Sequence, residues 1–412
     1  MLIGSTSRNP HRWPTALRHD GRDFLTTAQV ARVLGVKAES VYAYVSRGQL
    51  DSVRIAGIRG SLFAVGEVEA FRSRTERRPP AGIVERIHTE LTLIERDRLY
   101  YRGCDATELA FSTDFENVAE MLWGTMAGSD HRGGMAVPDI SPTPDRGVDL
   151  IRLVVDHLGA ADRYRGRIAS DAVAYKAMCT LNAILTVLPV VSEFPRRGSS
   201  MAARLWPRLS PMAPTTQRVA LLNAALVLLA DHDLAAGTIA ARVAASARGS
   251  IYAVISAGLG AFDGPLHGGA TTVAHDFLSS VLADPAGPDV AVARYLGDHE
   301  RPPGCGHIVY RHSDPRAEAL LEGLARDTGG RDVLAAVEAV RAGVGGPRDG
   351  FVNSDLALAA FALRYRMIPD ACATIFAVAR IAGWVAHAIE EYREPRLRFR
   401  PEGVYTGVRP PG

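Results

Sequence analysis

The sequence predicts an all-α body preceded by a small helix-turn-helix unit with a β wing. Three observations lead there. From Ile83 onward apolar residues recur at three-to-four spacing almost without interruption, and β-branched alternation is scarce. Between Phe24 and Arg74, two short amphipathic runs separated by Gly35 precede two β-type runs. Charge divides along the same line: residues 1–80 hold 13 Lys and Arg against 7 Asp and Glu, whereas the remainder holds 34 against 38. A basic head on a mildly acidic body implies two units with different partners.

The 412 residues exceed one ordinary domain, and 47% hydrophobic with 22% charged residues is a globular profile. No apolar run approaches the ~20 residues of a membrane helix, so no membrane partner is expected. The opening MLIGSTSRNPHRW lacks the apolar segment of a secretory signal, which points to the cytoplasm. Cys104, Cys179, Cys305 and Cys372 lie far apart without a CxxC spacing. They read as reduced thiols, not as disulfides or zinc ligands, and no metal site is expected.

In the head, residues 1–22 read as a flexible tail and residues 23–76 as the folded unit. Thr26-x-x-Gln29 is a capping-box pattern that starts a helix, with Val30, Ala31 and Leu34 on one face and Gly35 ending it. A second helix runs from about Ala38 to Arg47, with Val41, Tyr42 and Val45 inward. Ser52–Ile55 and Ser61–Ala64 read as paired strands, and Glu67–Arg74 as a short helix. Arg77-Arg78-Pro79-Pro80 marks a stiff linker over residues 77–82. The stretch TTAQVARVLGVKAESVYAYVSRGQLDSVRIAG resembles small DNA-binding domains of the MerR and excisionase type. Such domains place their second helix in the major groove and basic groups on phosphate. The resemblance makes Lys37, Ser40, Tyr44, Arg47, Arg54 and Arg59 candidate DNA contacts; a module for protein contact is the alternative.

The body spans residues 83–412, with a smaller lobe over roughly 262–365. Helical spacing covers Ala106–Phe111, Val118–Trp123, Val148–Leu158, Ala172–Leu188, Val219–Leu229, Thr238–Leu259 and Asp370–Tyr392. Gly128–Arg146 and Phe194–Thr216, rich in Pro, Gly and Ser, read as long loops or lids.

Several segments then stand in a telling order. Leu99-x-Tyr101-Arg102-Gly103, Glu108-Leu109-Ala110 and Phe115-Glu116-Asn117-Val118 come first, followed by LLADHDLAAGT, GPLHGGA, GCGHIVYRHSDPR, VNSDLALAA, FAVARIAGWVAHAIEE and FRPEGVYTG. In this order they resemble the citrate synthase family, across about 330 residues. The resemblance implies an all-α fold of large and small domains, and condensation of acetyl-CoA with oxaloacetate or a related 2-oxo acid. That chemistry needs a carboxylate base, a donor on the thioester oxygen, an acid on the ketone oxygen, and cations for the substrate carboxylates.

By this resemblance Asp355 is the base. Its place before an apolar helix favours proton acceptance through desolvation, although position alone would suit a helix cap. His267, packed among glycines, would donate to the thioester oxygen as a neutral imidazole. His307 would protonate the ketone oxygen, and Arg316, set by Pro315, would grip a carboxylate through two parallel hydrogen bonds. His232 would be a substrate ligand, or a helix residue oriented by its flanking carboxylates. Arg380, a charge inside an apolar helix, calls for a substrate carboxylate or an internal salt bridge. Arg400 lies on a tail that in the family reaches the neighbouring subunit's site, which implies a homodimer. The resemblance implies no permanent cofactor, with acetyl-CoA as co-substrate.

The sequence departs from the family's pattern at Asp233, Ala235, Cys305 and Ile308. Ala235 stands where Asn is common and removes a hydrogen-bonding group near the oxo acid. Two alternatives follow: a 2-methylcitrate synthase using propionyl-CoA, and a DNA-binding regulator that senses acyl-CoA or oxo acids.

Overall fold

The fold is that of a computed structural model, which describes residues 16–19, 22–55, 58, 60–68, 71, 87–125, 140–141, 144–195, 198–327, 329–345 and 350–399. The chain divides into two compact units, residues 1–86 with 399–412, and residues 87–398.

In the first unit the expected capping box forms. Thr26 accepts from the Gln29 amide, and Gln29 Oε1 accepts from the Thr26 amide at 2.8 Å, at the head of the helix Thr27–Leu34. Gly35 closes that helix in the left-handed conformation, φ 65°. The second helix, Ala38–Ser46, turns Val41 inward. Tyr42 departs from expectation and is 56% exposed. Tyr44 takes the inward place instead, its ring centre 4.8 Å from that of Phe71. The wing also differs. Val53 and Leu62 share a single bridge, while Leu62–Ala64 pairs antiparallel with Arg22–Thr26, which pairs in turn with Leu17–His19. Ordered structure therefore begins before Phe24. The linker at 77–82 lies outside the described residues.

The second unit opens with a three-stranded antiparallel meander, Thr92–Glu95, Arg98–Tyr101 and Cys104–Asp105, which helical spacing did not announce. Its first turn puts Arg96 and Asp97 at φ 52° and 57°, the conformation whose twist suits a two-residue hairpin. Helices follow to the end. The stretch expected as one helix over Thr238–Leu259 is two, Ala236–Ser246 and Ile251–Phe262. Arg248 adopts φ 61° between them, and Ser250 caps the second helix by accepting from Ala253 N–H. The expected loop Phe194–Thr216 contains the helix Met201–Leu209, capped by Ser200 and buried through Met201, Leu205, Trp206 and Leu209; Pro207 within it obscures the periodicity.

The helix Ala371–Glu391 forms the axis of this unit. It is long and apolar enough to cross a membrane, contrary to expectation, yet it is wholly buried in the protein. Packed around it are Phe115–Trp123, Gly147–Ala161, Ser170–Val187, Thr216–Leu228, Ala236–Ser246, Ile251–Phe262 and Gly268–Ala283. The helices Gly268–Ala283, Pro288–Asp298, Pro315–Ala325, Arg331–Gly343 and Ser354–Arg364 also pack on one another. Trp384 sets how closely the axis is approached: a Cβ on Gly258 would lie 2.6 Å from its ring, nearer than real Cβ contacts allow. Gly258→Ala is thus expected to cost about 1–3 kcal/mol through overpacking, measured as a lower denaturation midpoint in urea. An unchanged midpoint would show that the indole yields.

Candidate active site

The candidate residues arrive on five segments. His232 lies in the non-helical segment between the helices Thr216–Leu228 and Ala236–Ser246, not on a helix. Its neighbours do not orient it as expected. Asp231 turns away to the Thr92 hydroxyl and His387, and Asp233 sits at φ 53°, a conformation Asp tolerates. The partner of His232 is Tyr310, whose hydroxyl is 2.9 Å from Nε2. Ala235 stands at the N-cap of the following helix without a side-chain cap.

His267 is the N-cap residue of the helix Gly268–Ala283. Its amide donates to the Gly264 carbonyl at 3.0 Å, and its ring lies against Phe262 and Phe376, with centres 5.3 and 5.7 Å away. Its Nε2 is buried with no hydrogen-bond partner among the described residues. Burial, reinforced by the Arg380 charge, holds the imidazole down at about 4, so it is neutral at physiological pH.

The His307 loop and the Asp355 helix are stitched together. Gly306 N–H donates to Phe351 O at 2.6 Å, Asn353 N–H to Gly304 O at 2.9 Å, and Asn353 Nδ2 to Gly306 O at 2.9 Å. Cys305 bridges to Val352 in the same seam, and its buried thiol is pushed up to about 12. Gly304 is required here twice over, by φ 75° and because a Cβ would fall 2.9 Å from the Leu356 amide. His307 Nδ1 accepts from Val309 N–H at 3.2 Å. That leaves the ring proton on Nε2, and burial with the nearby Arg316 charge holds this ring too at about 4.

Asp355 does not cap its helix; Asn353 does, with Oδ1 accepting from Asp355 N–H at 2.9 Å. Burial pushes the Asp355 carboxyl up to about 6, against the pull of Arg316 and Arg380. Arg316 makes the two parallel bonds expected of it, but to Asp314, at 3.0 Å from Nε and 2.8 Å from Nη2. Burial would lower its pKa, and Asp314 more than offsets this. Asp314 also caps the helix Pro315–Ala325 and accepts from Ser354 N–H at 3.0 Å, so one carboxylate ties Arg316 to the start of the Asp355 helix. Arg380 donates from Nε to Leu229 O at 2.9 Å and lies over Phe376, 4.7 Å from the ring centre. Its Nη2 is buried with no partner among the described residues. Burial, with repulsion from Arg316, lowers its pKa to about 10, still cationic.

These groups converge. The rings of His232, His307 and Tyr310 lie 4.9–5.4 Å apart in pairs, and Arg316 Cζ is 5.6 Å from the Tyr310 ring. Burial holds His232 well below its ordinary value, and the charges of Arg316 and Arg380 act in the same direction. Leu266 and Ile308, beside two of the histidines, are 98% and 88% exposed. Arg400 lies outside the described residues. Sequence reasoning missed Tyr310, Asp314 and Phe376; Tyr310 stood three residues after His307 as a signal that went unused. No group of His, Cys, Asp and Glu suited to a metal occurs among the described residues.

The arrangement offers a carboxylate of raised basicity, two neutral imidazoles and a buried, unpartnered guanidinium edge. That set can remove a proton from carbon, donate hydrogen bonds to two oxygens and hold a carboxylate. Asp355 also has a consequence for folding. Its pKa of about 6 exceeds the ordinary 3.8, so the folded state holds its proton more tightly and loses stability as pH rises from about 4 to 6. Asp355→Asn removes that cost, and is expected to stabilise the protein by about 2–3 kcal/mol above pH 7 and by little at pH 4. Urea denaturation at both pH values tests this; an equal effect at both would contradict it.

Comparison with known proteins follows the same lines. The family profile described as "Citrate synthase, C-terminal domain" matches residues 147–402. A 2-methylcitrate synthase of Mycobacterium tuberculosis is 29% identical over 399 residues, covering 84% of this chain and 97% of that protein. Citrate synthase 2 of Bacillus subtilis is 27% identical, covering 81% and 96%. Among solved structures, citrate synthase from Thermotoga maritima superposes with a TM-score of 0.66 at 23% identity, covering 80% of this chain and 95% of that one. The ternary complex of carboxymethyl coenzyme A and oxaloacetate with citrate synthase from Thermoplasma acidophilum gives 0.64 at 24%, covering 80% and 96%.

Proposed function

The chain belongs to the citrate synthase family, and we propose that Asp355, His267 and His307 carry an acyl-CoA condensation in the site just described. The enzyme is an acyltransferase that converts the acyl group into an alkyl group on transfer: acetyl-CoA and oxaloacetate, or a related 2-oxo acid, give citrate and free CoA. CoA serves as co-substrate, and no permanent cofactor is used.

Asp355 takes a proton from the carbon next to the thioester carbonyl. At pH 7 it is ionised, and its basicity is greater than that of an ordinary carboxylate. His267 stabilises the enol oxygen as a neutral donor. The enol carbon bonds to the ketone carbon while His307 Nε2–H protonates the ketone oxygen. Water then cleaves the thioester and CoA departs as its thiol. Arg380, with its unpartnered Nη2, and Arg316 hold the substrate carboxylates, and His232 with Tyr310 faces the oxo acid. The observation that carries this reading is the raised, half-buried Asp355 carboxyl on a helix stitched to the loop of a neutral His307, together with the buried Arg380 Nη2, which has no partner among the described residues. The Mycobacterium tuberculosis relative favours propionyl-CoA as a second acyl donor, giving 2-methylcitrate. One methylene is worth only ~1–3 kcal/mol in a pocket. The regulator alternative finds no support among these relatives.

Thiol release should appear with acetyl-CoA or propionyl-CoA plus oxaloacetate, and kcat/KM should fall about tenfold per unit below pH 6 as Asp355 takes up its proton. Asp355→Ala should abolish turnover while sedimentation still reports a dimer. No turnover with either acyl-CoA and any of several 2-oxo acids would defeat the condensation reading; retained activity in Asp355→Ala would show the base to be misassigned.

The cytoplasmic homodimer, with Arg400 of the partner subunit completing each site, belongs to the same proposal. It is supported by the family's tail motif, FRPEGVYTG. DNA contact by the first unit is a separate proposal. Lys37, Arg47 and Arg54 are exposed and Ser40 half-buried, as phosphate contacts require, whereas Tyr44 is engaged by Phe71 and Arg59 lies outside the described residues. Anisotropy titration of duplex DNA at low salt should show binding that weakens as salt rises and on replacing Lys37, Arg47 and Arg54 by Ala; absence of binding removes the proposal.

A further inference from the structure

His387, in the axial helix, is fully buried, and no step above uses it. Its ring is bonded on both sides. Arg242 Nε–H, from the helix Ala236–Ser246, donates to Nδ1 at 2.9 Å, and Nε2 lies 3.3 Å from Asp231 Oδ2. A guanidinium nitrogen offers only protons. Nδ1 must therefore present its lone pair, and the ring proton sits on Nε2, facing the carboxylate. This geometry holds the ring in one tautomer.

Hydrogen bonds continue in both directions. Arg242 reaches Glu391 at 3.0 Å and also Glu390, and Glu391 receives Arg398 Nε and Nη2 at 2.7 and 2.6 Å. At the other end Asp231 accepts the Thr92 hydroxyl, while its backbone carbonyl accepts from Tyr101 OH at 2.9 Å. Asp231, Arg242 and Glu391 have no exposed surface. Asp231 immediately precedes His232. Burial would raise its pKa, but hydrogen bonds from His387 and Thr92 and the charge of Arg380 together keep it below the ordinary carboxylate range.

The connector matters here because His387 stands between the cationic Arg242 and the anionic Asp231. If Asp231 met Arg242 directly, the two would close an ion pair and withdraw the carboxylate from Arg380. With His387 interposed, Arg242 is satisfied by Glu390 and Glu391, and Asp231 keeps its charge for Arg380, whose Nη2 has no protein partner among the described residues. We propose that His387 is a positioning residue for the oxo acid: by holding Asp231 between itself and Thr92, it sets the His232 segment and the charge balance of Arg380 from which a substrate carboxylate is bound. This rests on the condensation reading above.

The test uses full-length protein. His387→Leu should raise the KM for oxaloacetate about tenfold or more, the effect of a lost hydrogen bond to a charged group, and leave the KM for acyl-CoA within about twofold. Calorimetric binding of oxaloacetate should weaken in parallel. His387→Gln, whose amide can accept from Arg242 and donate to Asp231, should regain most of the affinity; a purely space-filling role would not separate Leu from Gln in this way. Nitrogen-15 NMR of the wild-type histidines should show one ring with bare Nδ1 and protonated Nε2. The inference is overturned if Leu leaves oxaloacetate KM and affinity unchanged, if Gln is as damaging as Leu, or if no histidine shows that fixed tautomer. Wild-type protein that neither turns over nor binds oxaloacetate would instead defeat the condensation reading and, with it, the oxo-acid role of His387; a fixed tautomer in that protein would leave only the hydrogen-bond chain standing.

Discussion

Charge inside the axial helix constrains everything around it. Ala371–Glu391 is buried almost throughout, yet it carries the charged Arg380 and Glu391 and the polar His387. Leaving one such group unmatched costs several kcal/mol, so other elements must come to them. Leu229 O meets Arg380, Asp231 and Arg242 meet His387, and Arg242 with Arg398 meets Glu391. Three of these partners lie between residues 229 and 242. The axis thereby fixes where that segment runs, and His232 is carried into place with it.

The second half of the site is organised by backbone pairing. Gly304, Gly306, Phe351 and Asn353 form a short seam, and Asp314 joins Arg316 to the amide of Ser354. His307, Arg316 and Asp355, from two stretches of chain, are thus tied together. Both this half and the axial half bury their ionisable groups wholly or in part, and burial acts in opposite directions on different groups. It lowers His267 and His307 to about 4 and raises Asp355 to about 6. Desolvation disfavours whichever form carries charge, which yields neutral donors and a stronger base in one environment.

Local physics was readable wherever a few adjacent residues settle the matter. Thr26 with Gln29 announced a helix start, and Gly35 its end. The helical spacing over Asp370–Tyr392 announced the helix Ala371–Glu391, though not its place as the axis. The hairpin at Arg96-Asp97 and the break at Arg248 were not readable in the same way, because both depend on non-glycine residues held at positive φ by the strands and helices on either side. Pro207 concealed a helix whose burial, not its propensity, makes it form. Tyr42 and Tyr44, two residues apart, exchanged places because Phe71 supplies a packing partner that helical spacing cannot reveal.

The sequence by itself determined the all-α class of the body and the family, through ordered motifs and short-range caps, and it nominated His232, His267, His307, Arg316, Asp355 and Arg380. Those determinants act over a few residues, where sterics and hydrogen-bond reach permit only one outcome. Tertiary structure alone decided what each nominee touches: Tyr310 for His232, Asp314 for Arg316, Leu229 for Arg380, and the His387–Arg242 pair behind Asp231. Apart from the short link between Arg316 and Asp314, these partners are separated by 78 to 156 residues. The energy that selects them is the cost of burying an unmatched polar or charged group, which no local pattern in the chain can express.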